Sequence, residues 1–308
     1  MIGAGELESF VTSSIQLAIP LVFAATGELV SERAGVLNLS LEGIMLCGAF
    51  AGVLGSWATG HPIVGVALAG GVGVLLGVMQ AVASVSLRAN QLVVGLGFNI
   101  LALGATTFLY REIFGPLSRN VIPGFSGLQI PLLSDIPLLG PMFFQHSGFT
   151  YVALVFVCGT WLALERSALG LAIRATGESP RAADEVGLNV WAIRYGCVIY
   201  AGLMAGLGGG YLSLVAIHTF TENMTNGAGY LAITAVIFGG WGIWRTFLAC
   251  LLFGFATDLQ FVAPTIGLDV PVAVFMMLPY VLALLAIGGV MGTNRPPAAL
   301  SMPFRRGT

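Results

Sequence analysis

Apolar residues fall into blocks of about 20, the length needed to cross a bilayer as a helix. These blocks lie at roughly 12–29, 39–57, 62–86, 91–110, 148–164, 191–216, 227–243, 246–263 and 271–290. Block 227–243 is short and Gly-rich, and reads as a full or re-entrant span. The pattern predicts an all-α polytopic membrane helix bundle of nine spans, or ten if a longer block is broken, with residues 1–308 as one transmembrane domain. One block is interrupted: Leu37–Gly43 reads Leu-Asn-Leu-Ser-Leu-Glu-Gly. A carboxylate in hydrocarbon is costly, so Glu42 marks a polar path or a buried helix contact. Asn38 lies four residues earlier, on the same face if the segment is helical. Gly35 and Gly43 bracket the pair and predict a broken helix near 35–43, one that bends or starts inside the bilayer. The feature points to transport rather than anchoring.

Glycine recurs every four residues at Gly202, Gly206 and Gly210, and at Gly73 and Gly77. Small residues at this spacing let helix backbones approach closely in lipid, so these blocks are expected to pack tightly. Composition agrees with the pattern: mean hydropathy is +0.93, with 57% hydrophobic and 8% charged residues. A soluble domain cannot hide that much apolar surface. The 12 basic residues are all Arg, and they set the orientation. With 165–190 in the cytoplasm, Arg33, Arg88, Arg245, Arg295, Arg305 and Arg306 also fall inside, and Arg194 sits at the inner edge of its span. Only Arg111 and Arg119 fall outside. The N-terminus is then outside and the tail 291–308 inside. Glu6 and Glu8 stand where a cleavable signal would carry positive charge.

The outer connection 112–147 is rich in Pro and Gly and carries Leu132, Leu133, Ile136, Phe143 and Phe144. A loop this long is usually functional or a cap, and its apolar content favours packing onto the bundle. In the inner connection 165–190, Ser179 suits an N-cap, Pro180 the first helical position and Gly187 the stop. A helix of about two turns from Pro180 to Val186 is expected, with Ala182, Ala183 and Val186 on one apolar face and Asp184 and Glu185 in water. Ordering so short a helix is unfavourable for a mere connector, and docking to a soluble partner would stabilise it.

Other chemistry is sparse. Cys47, Cys158, Cys197 and Cys250 lie far apart in apolar blocks and read as packing residues. His61, His146 and His218 are scattered near the outer side, so no metal set or nucleophile–base pair emerges. Gly206-Leu-Gly-Gly-Gly lacks the Lys-Ser/Thr of a phosphate-binding loop. Glu28, Glu32 and Arg33, at the inner boundary, read as a solvated or locally paired cluster. Glu222, Asn223 and Asn226 read as a hydrated outer turn or an entrance, and Asp258 and Gln260 similarly. Asn99, in mid-span, serves packing or lines a path.

Two segments resemble a known family. Gly27-Glu-Leu-Val-Ser-Glu-Arg-Ala-Gly-Val-Leu-Asn-Leu-Ser-Leu-Glu-Gly43 is similar to the signature of permease subunits of ATP-binding-cassette importers, in the simple-sugar and nucleoside branch served by basic-membrane-protein-type receptors. Arg174-Ala-Thr-Gly-Glu-Ser-Pro-Arg-Ala-Ala-Asp-Glu-Val-Gly-Leu188 resembles the loop of that family that contacts the ATPase. Ser40 departs from the pattern, which usually has Gly there, and puts the backbone path at that point in question. The resemblance implies a nucleoside importer in the bacterial inner membrane with no catalysis in this chain and no nucleic acid. Its partners would be a second, different permease subunit, a double-domain ATPase carrying ATP and Mg, and a lipoprotein or periplasmic receptor. For an importer, the polar residues weighed above give the candidate substrate path: Asn38, Glu42, Asn99, Glu222, Asn226 and Asp258. The resemblance implies coupling roles for Arg174, Gly177, Pro180, Arg181, Ala182, Asp184, Glu185 and Gly187. A simple sugar and a branched-chain amino acid are the alternative substrates. The rival reading, an ion-coupled secondary transporter, calls for paired broken helices. The sequence offers one clear motif of that kind.

Overall fold

The structure, a computed structural model, describes residues 4–115, 122–125, 127, 140, 145–263, 271–287 and 295–305. The long helices are α1 (Ala4–Arg33), α2 (Leu41–Thr59), α3 (Pro62–Ala81), α4 (Gln91–Phe114), α5 (Gly148–Arg166), α8 (Val190–Tyr211) and α10 (Ile243–Val262). Between them lie α6 (Ala168–Glu178), α7 (Pro180–Glu185) and α9 (Ala228–Phe238), with α11 (Val272–Ile287) last. Wider, π-type turns extend α3 over Val82–Ser86 and α8 over Leu212–Ile217. Among the described residues there is no β-strand, only one bridge between Gly127 and Ser147.

Among the described residues, seven helices are long and apolar enough to cross a membrane, and 228–238 and 273–285 are shorter apolar helices. The nine apolar blocks therefore exist as helices, but α9, with 11 residues, spans only about 16 Å, half the hydrocarbon.

Core packing depends on glycine. A Cβ on Gly73 would meet Gly202 O at 2.3 Å, and one on Gly206 would meet Ala69 O at 2.4 Å, so α3 and α8 touch backbone to backbone. Gly209 of α8 lies still closer to α2, where a Cβ would be 1.8 Å from Met45 O. The expected small-residue interface is present and extends to a third helix. With no water to squeeze out between apolar surfaces in lipid, close van der Waals contact is what holds these helices together.

Residues assigned to one side of the bilayer by the arginine bias lie together. The Gln91 side chain accepts from Leu37 N–H at 2.9 Å, Arg88 stacks on Trp191, and Arg33 donates to Trp241 O at 3.0 and 2.6 Å. At the opposite end, Arg111 pairs with Glu222, and Ser13 and Ser14 donate to Asp258. Of the outer connection, Ile122 and Phe125 donate backbone bonds to His218 O and Leu214 O, and Ile122 is buried, so this stretch caps the bundle. Leu132, Leu133, Ile136, Phe143 and Phe144 lie outside the described residues.

A candidate permeation site at two interrupted helices

The chain leaves α1 at Arg33 and turns back through residues 34–40, where Gly35 takes φ +87°. Helix α2 then begins at Leu41, at a depth set by its neighbours. Asn38 N–H donates to Glu28 Oε1 at 2.8 Å, and Gly43 N–H donates to Asn99 Oδ1 at 2.8 Å. Asn99 lies eight residues into α4, about 12 Å from its cytoplasmic end. The broken-helix expectation holds: α2 starts within the bilayer. The shared-face argument for Asn38 and Glu42 does not. Asn38 lies in the extended turn, and its Oδ1 accepts from Ser40 N and Oγ instead. Ser40 has φ −81°, which any residue adopts, so the hydroxyl is accommodated without strain.

The turn between α8 and α9 is the second interruption, which the sequence reading missed. It descends from His218, and Asn223, Asn226 and Gly227 take positive φ. Asn and Gly tolerate that region best. The turn ends with the N-terminus of α9 directed at Glu42. Glu42 Oε1 accepts from Thr225 Oγ1 at 2.6 Å and from Gly227 N–H at 2.8 Å, and Oε2 accepts from Gly229 N–H at 2.7 Å. A carboxylate with three donors at a helix N-terminus is satisfied in charge and in hydrogen bonding. Glu42 thus caps α9 from another helix, which supplies no side-chain cap of its own.

Asn99 is the second polar node. Its Nδ2 donates to Leu39 O at 2.9 Å and to Tyr230 Oη at 2.7 Å. Tyr280 of α11 donates to Asn226 O at 3.0 Å. Tyr230 and Tyr280 are 38% and 44% exposed on a face where α4 also exposes Leu96, Ile100, Leu103 and Phe108. Toward the outside this face opens into a groove of 860 Å³ lined by Ile100, Leu103, Thr107, Phe108, Arg111, Glu222 and Asn223. Arg111 grips Glu222 with two bonds, of 2.6 and 2.8 Å, and holds its carboxyl below the usual range. Polar side chains therefore run from the outer groove past Asn226 and Tyr280 to Tyr230 and Asn99, with Glu42 buried behind them. Asn38 belongs to the buried layer. Asp258 stands apart from both: it is buried against α1, where it accepts from Ser13 and Ser14, and so is neither solvated nor part of an entrance.

The inner-boundary acids are a correction. Glu28 and Glu32 are fully buried rather than solvated, with Glu32 Oε2 accepting from Trp241 Nε1 at 2.5 Å. They fix the turn at residues 34–40 and the α9–α10 connection to α1. Sequence reasoning missed Tyr230, Tyr280, Thr225 and Trp241. Tyrosines with polar tips inside apolar blocks were the available signal for the first two.

The inner connection forms α6 and α7. Helix α7 starts at Pro180, and Gly187 ends it with φ +91°. Ser179 caps through its backbone only, Ala183 N–H donating to Ser179 O at 3.0 Å. The expected single apolar face is split: Ala183 is buried against Val190 and Phe304, whereas Ala182 is exposed and Val186 is 76% exposed. Arg181 and Glu185 are exposed, and Asp184 is half-buried. Arg174 pairs with Glu165 at 3.2 Å. Gly177 presses on the end of α1, where a Cβ would lie 2.1 Å from Arg33 O. Among the described residues no group of three His, Cys, Asp or Glu could hold a metal.

Residues 10–287 match the family described as branched-chain amino acid transport system, permease component. The chain belongs to this permease family. The permease is 38% identical, over 98% of both chains, to the guanosine ABC transporter permease protein NupQ of Bacillus subtilis. It is 32% identical to the nucleoside ABC transporter permease protein NupC of Lactococcus lactis over 95% of both chains. Identity is 23% to the guanosine ABC transporter permease protein NupP of B. subtilis, over 94% of this permease and 86% of NupP. No solved structure matches it. The permease is a multi-pass protein of the inner membrane.

Proposed function

We propose that the chain is one permease subunit of an ATP-driven nucleoside importer. Likeness to NupQ over nearly the whole length carries this reading. The exposed polar stripe of α4, α9 and α11 supports it, because a face that exposes both apolar and hydrogen-bonding side chains suits a path shared with a second permease subunit. That two relatives, NupP and NupQ, are separate permeases of guanosine transporters in one organism favours a different partner chain over a second copy. Asn226, Glu222 and Asn99 line the path with Tyr230 and Tyr280, while Glu42 and Asn38 act behind it by holding α2 and α9 in register. Hydrolysis of MgATP belongs to a double-domain ATPase docked on α7 through Arg181, Ala182, Asp184 and Glu185. Arg174, Gly177, Pro180 and Gly187 shape the surface it meets. A receptor outside delivers the nucleoside.

Two interrupted helices are also what a self-sufficient carrier would need. The separating assay is uptake of radiolabelled guanosine by proteoliposomes. Uptake requiring the second permease, the ATPase, ATP and the receptor is the expected outcome. Robust uptake by this chain alone under an ion gradient would overturn the proposal.

A further inference from the structure

The C-terminal tail lies in no motif and in no transmembrane block, yet it is among the most closely bonded segments at the cytoplasmic end. Ala299 N–H donates to Gly177 O at 2.9 Å, and Ala298 N–H donates to Glu178 Oε2 at 3.3 Å. Ser301 N–H donates to Gly35 O at 3.1 Å, and Arg194 Nη1 donates to Met302 O at 2.9 Å. Phe304 is buried against Ala183 and Val190, under α7. Ordering an irregular segment costs backbone entropy at every residue. These bonds offset it and fix the tail to α6, α7 and the 34–40 turn at once.

The result is a groove of 390 Å³ between the α6–α7 turn and the tail, with Pro180 and Arg181 on one wall and Met302, Pro303 and Arg305 on the other. Met302 is 58% exposed and Val186 is 76% exposed, on the water side of the molecule. Met302 lines the groove and Val186 stands at the other end of α7; of the three charged residues lining the groove, Arg181 and Arg305 outnumber Glu178, which suits a partner that brings an apolar knob and acidic neighbours.

We infer that residues 297–305 and α7 together form one docking surface for the ATPase, so that the tail is half of the socket rather than a free end. This rests on the reading of α7 as the ATPase contact. The surface is continuous with α7, and its occupant is therefore the same subunit. Because Ser301 and Met302 are bonded to the 34–40 turn and to Arg194, a push on the tail reaches the turn that leads into α2 without passing through α7. The ATPase thus has two grips on the permease.

The test uses the assembled importer with a photo-crosslinking benzoyl-phenylalanine placed at Met302 or, separately, at Val186. Both positions should crosslink to the ATPase. Crosslinking from Val186 alone overturns the tail's role and leaves the α7 reading standing; crosslinking from neither overturns both. A second arm reads Met302→Glu, whose side chain points to solvent and places a charge in the closed interface. ATPase co-purification should fall at least about tenfold, the effect of setting a carboxylate against the partner's acidic neighbours, with the amount of permease in the membrane unchanged. Unaltered co-purification refutes the inference.

Discussion

Glu42→Gln isolates the bond between the two interrupted helices. The substitution keeps the volume and one carbonyl oxygen but turns an NH2 toward a donor. Glu42 makes three bonds, of 2.6, 2.8 and 2.7 Å, two of them from the backbone of Gly227 and Gly229. If the amide oxygen keeps the two donors at Oε1, the Gly229 N–H faces another donor; in the reverse orientation the Thr225 hydroxyl can turn to accept from the NH2, but the Gly227 N–H is stranded. A hydrogen bond to a charged group contributes about 1.5–3 kcal/mol, and an abandoned buried donor costs about 1–3 kcal/mol. The loss is therefore about 2–4 kcal/mol, or about 10²-fold in the ratio of closed to open clasp. Hydrogen exchange reads this directly in the peptide covering residues 221–232 of the purified permease. Amide protection there should fall by about that factor, while peptides from α3 and α8, which share no bond with Glu42, keep theirs. Guanosine uptake should fall in parallel. Unchanged protection at 221–232 would refute the claim that Glu42 holds α9 in place.

Gly229→Ala puts a Cβ 2.4 Å from Glu42 N and 2.6 Å from its Cα, so α2 and α9 must part; uptake should be lost and the melting temperature in detergent lowered. Gly177→Ala meets Arg33 O at 2.1 Å, and should uncouple ATP hydrolysis from uptake by shifting α6 off the end of α1, measured as ATPase turnover per guanosine imported. Glu222→Arg should impair uptake, and adding Arg111→Glu should restore a large part of it if the ion pair orders the outer groove; a double variant no better than the single one contradicts this. The pair should also persist as pH falls through the ordinary glutamate range, because Arg111 holds the Glu222 carboxyl low: its contribution is present above the unfolded-state pKa and disappears only below the depressed one.

Hydrophobic blocks, arginine placement and the Pro180…Gly187 punctuation determined much of this protein by themselves. Each is a local or one-dimensional property: span length follows from bilayer thickness, sidedness from Arg in short loops, and helix ends from proline and glycine backbones. Even the start of α2 inside the membrane was legible, because Asn38 and Glu42 interrupt an otherwise apolar run. The partner of Glu42 was not. Thr225, Gly227 and Gly229 lie more than 180 residues further along the chain, and a turn of Asn and Gly reads as an ordinary surface loop until the fold carries it into the bilayer. Burial of Glu28 and Glu32 was likewise a tertiary outcome, since their donors, Asn38 N–H and Trp241 Nε1, come from two separate connections. The tail at 297–305 carries no periodicity, and its backbone bonds to Gly35 and Gly177 depend on main-chain atoms that every sequence possesses. Long-range pairing of backbone groups leaves no residue-type signature, so only the folded chain could decide it.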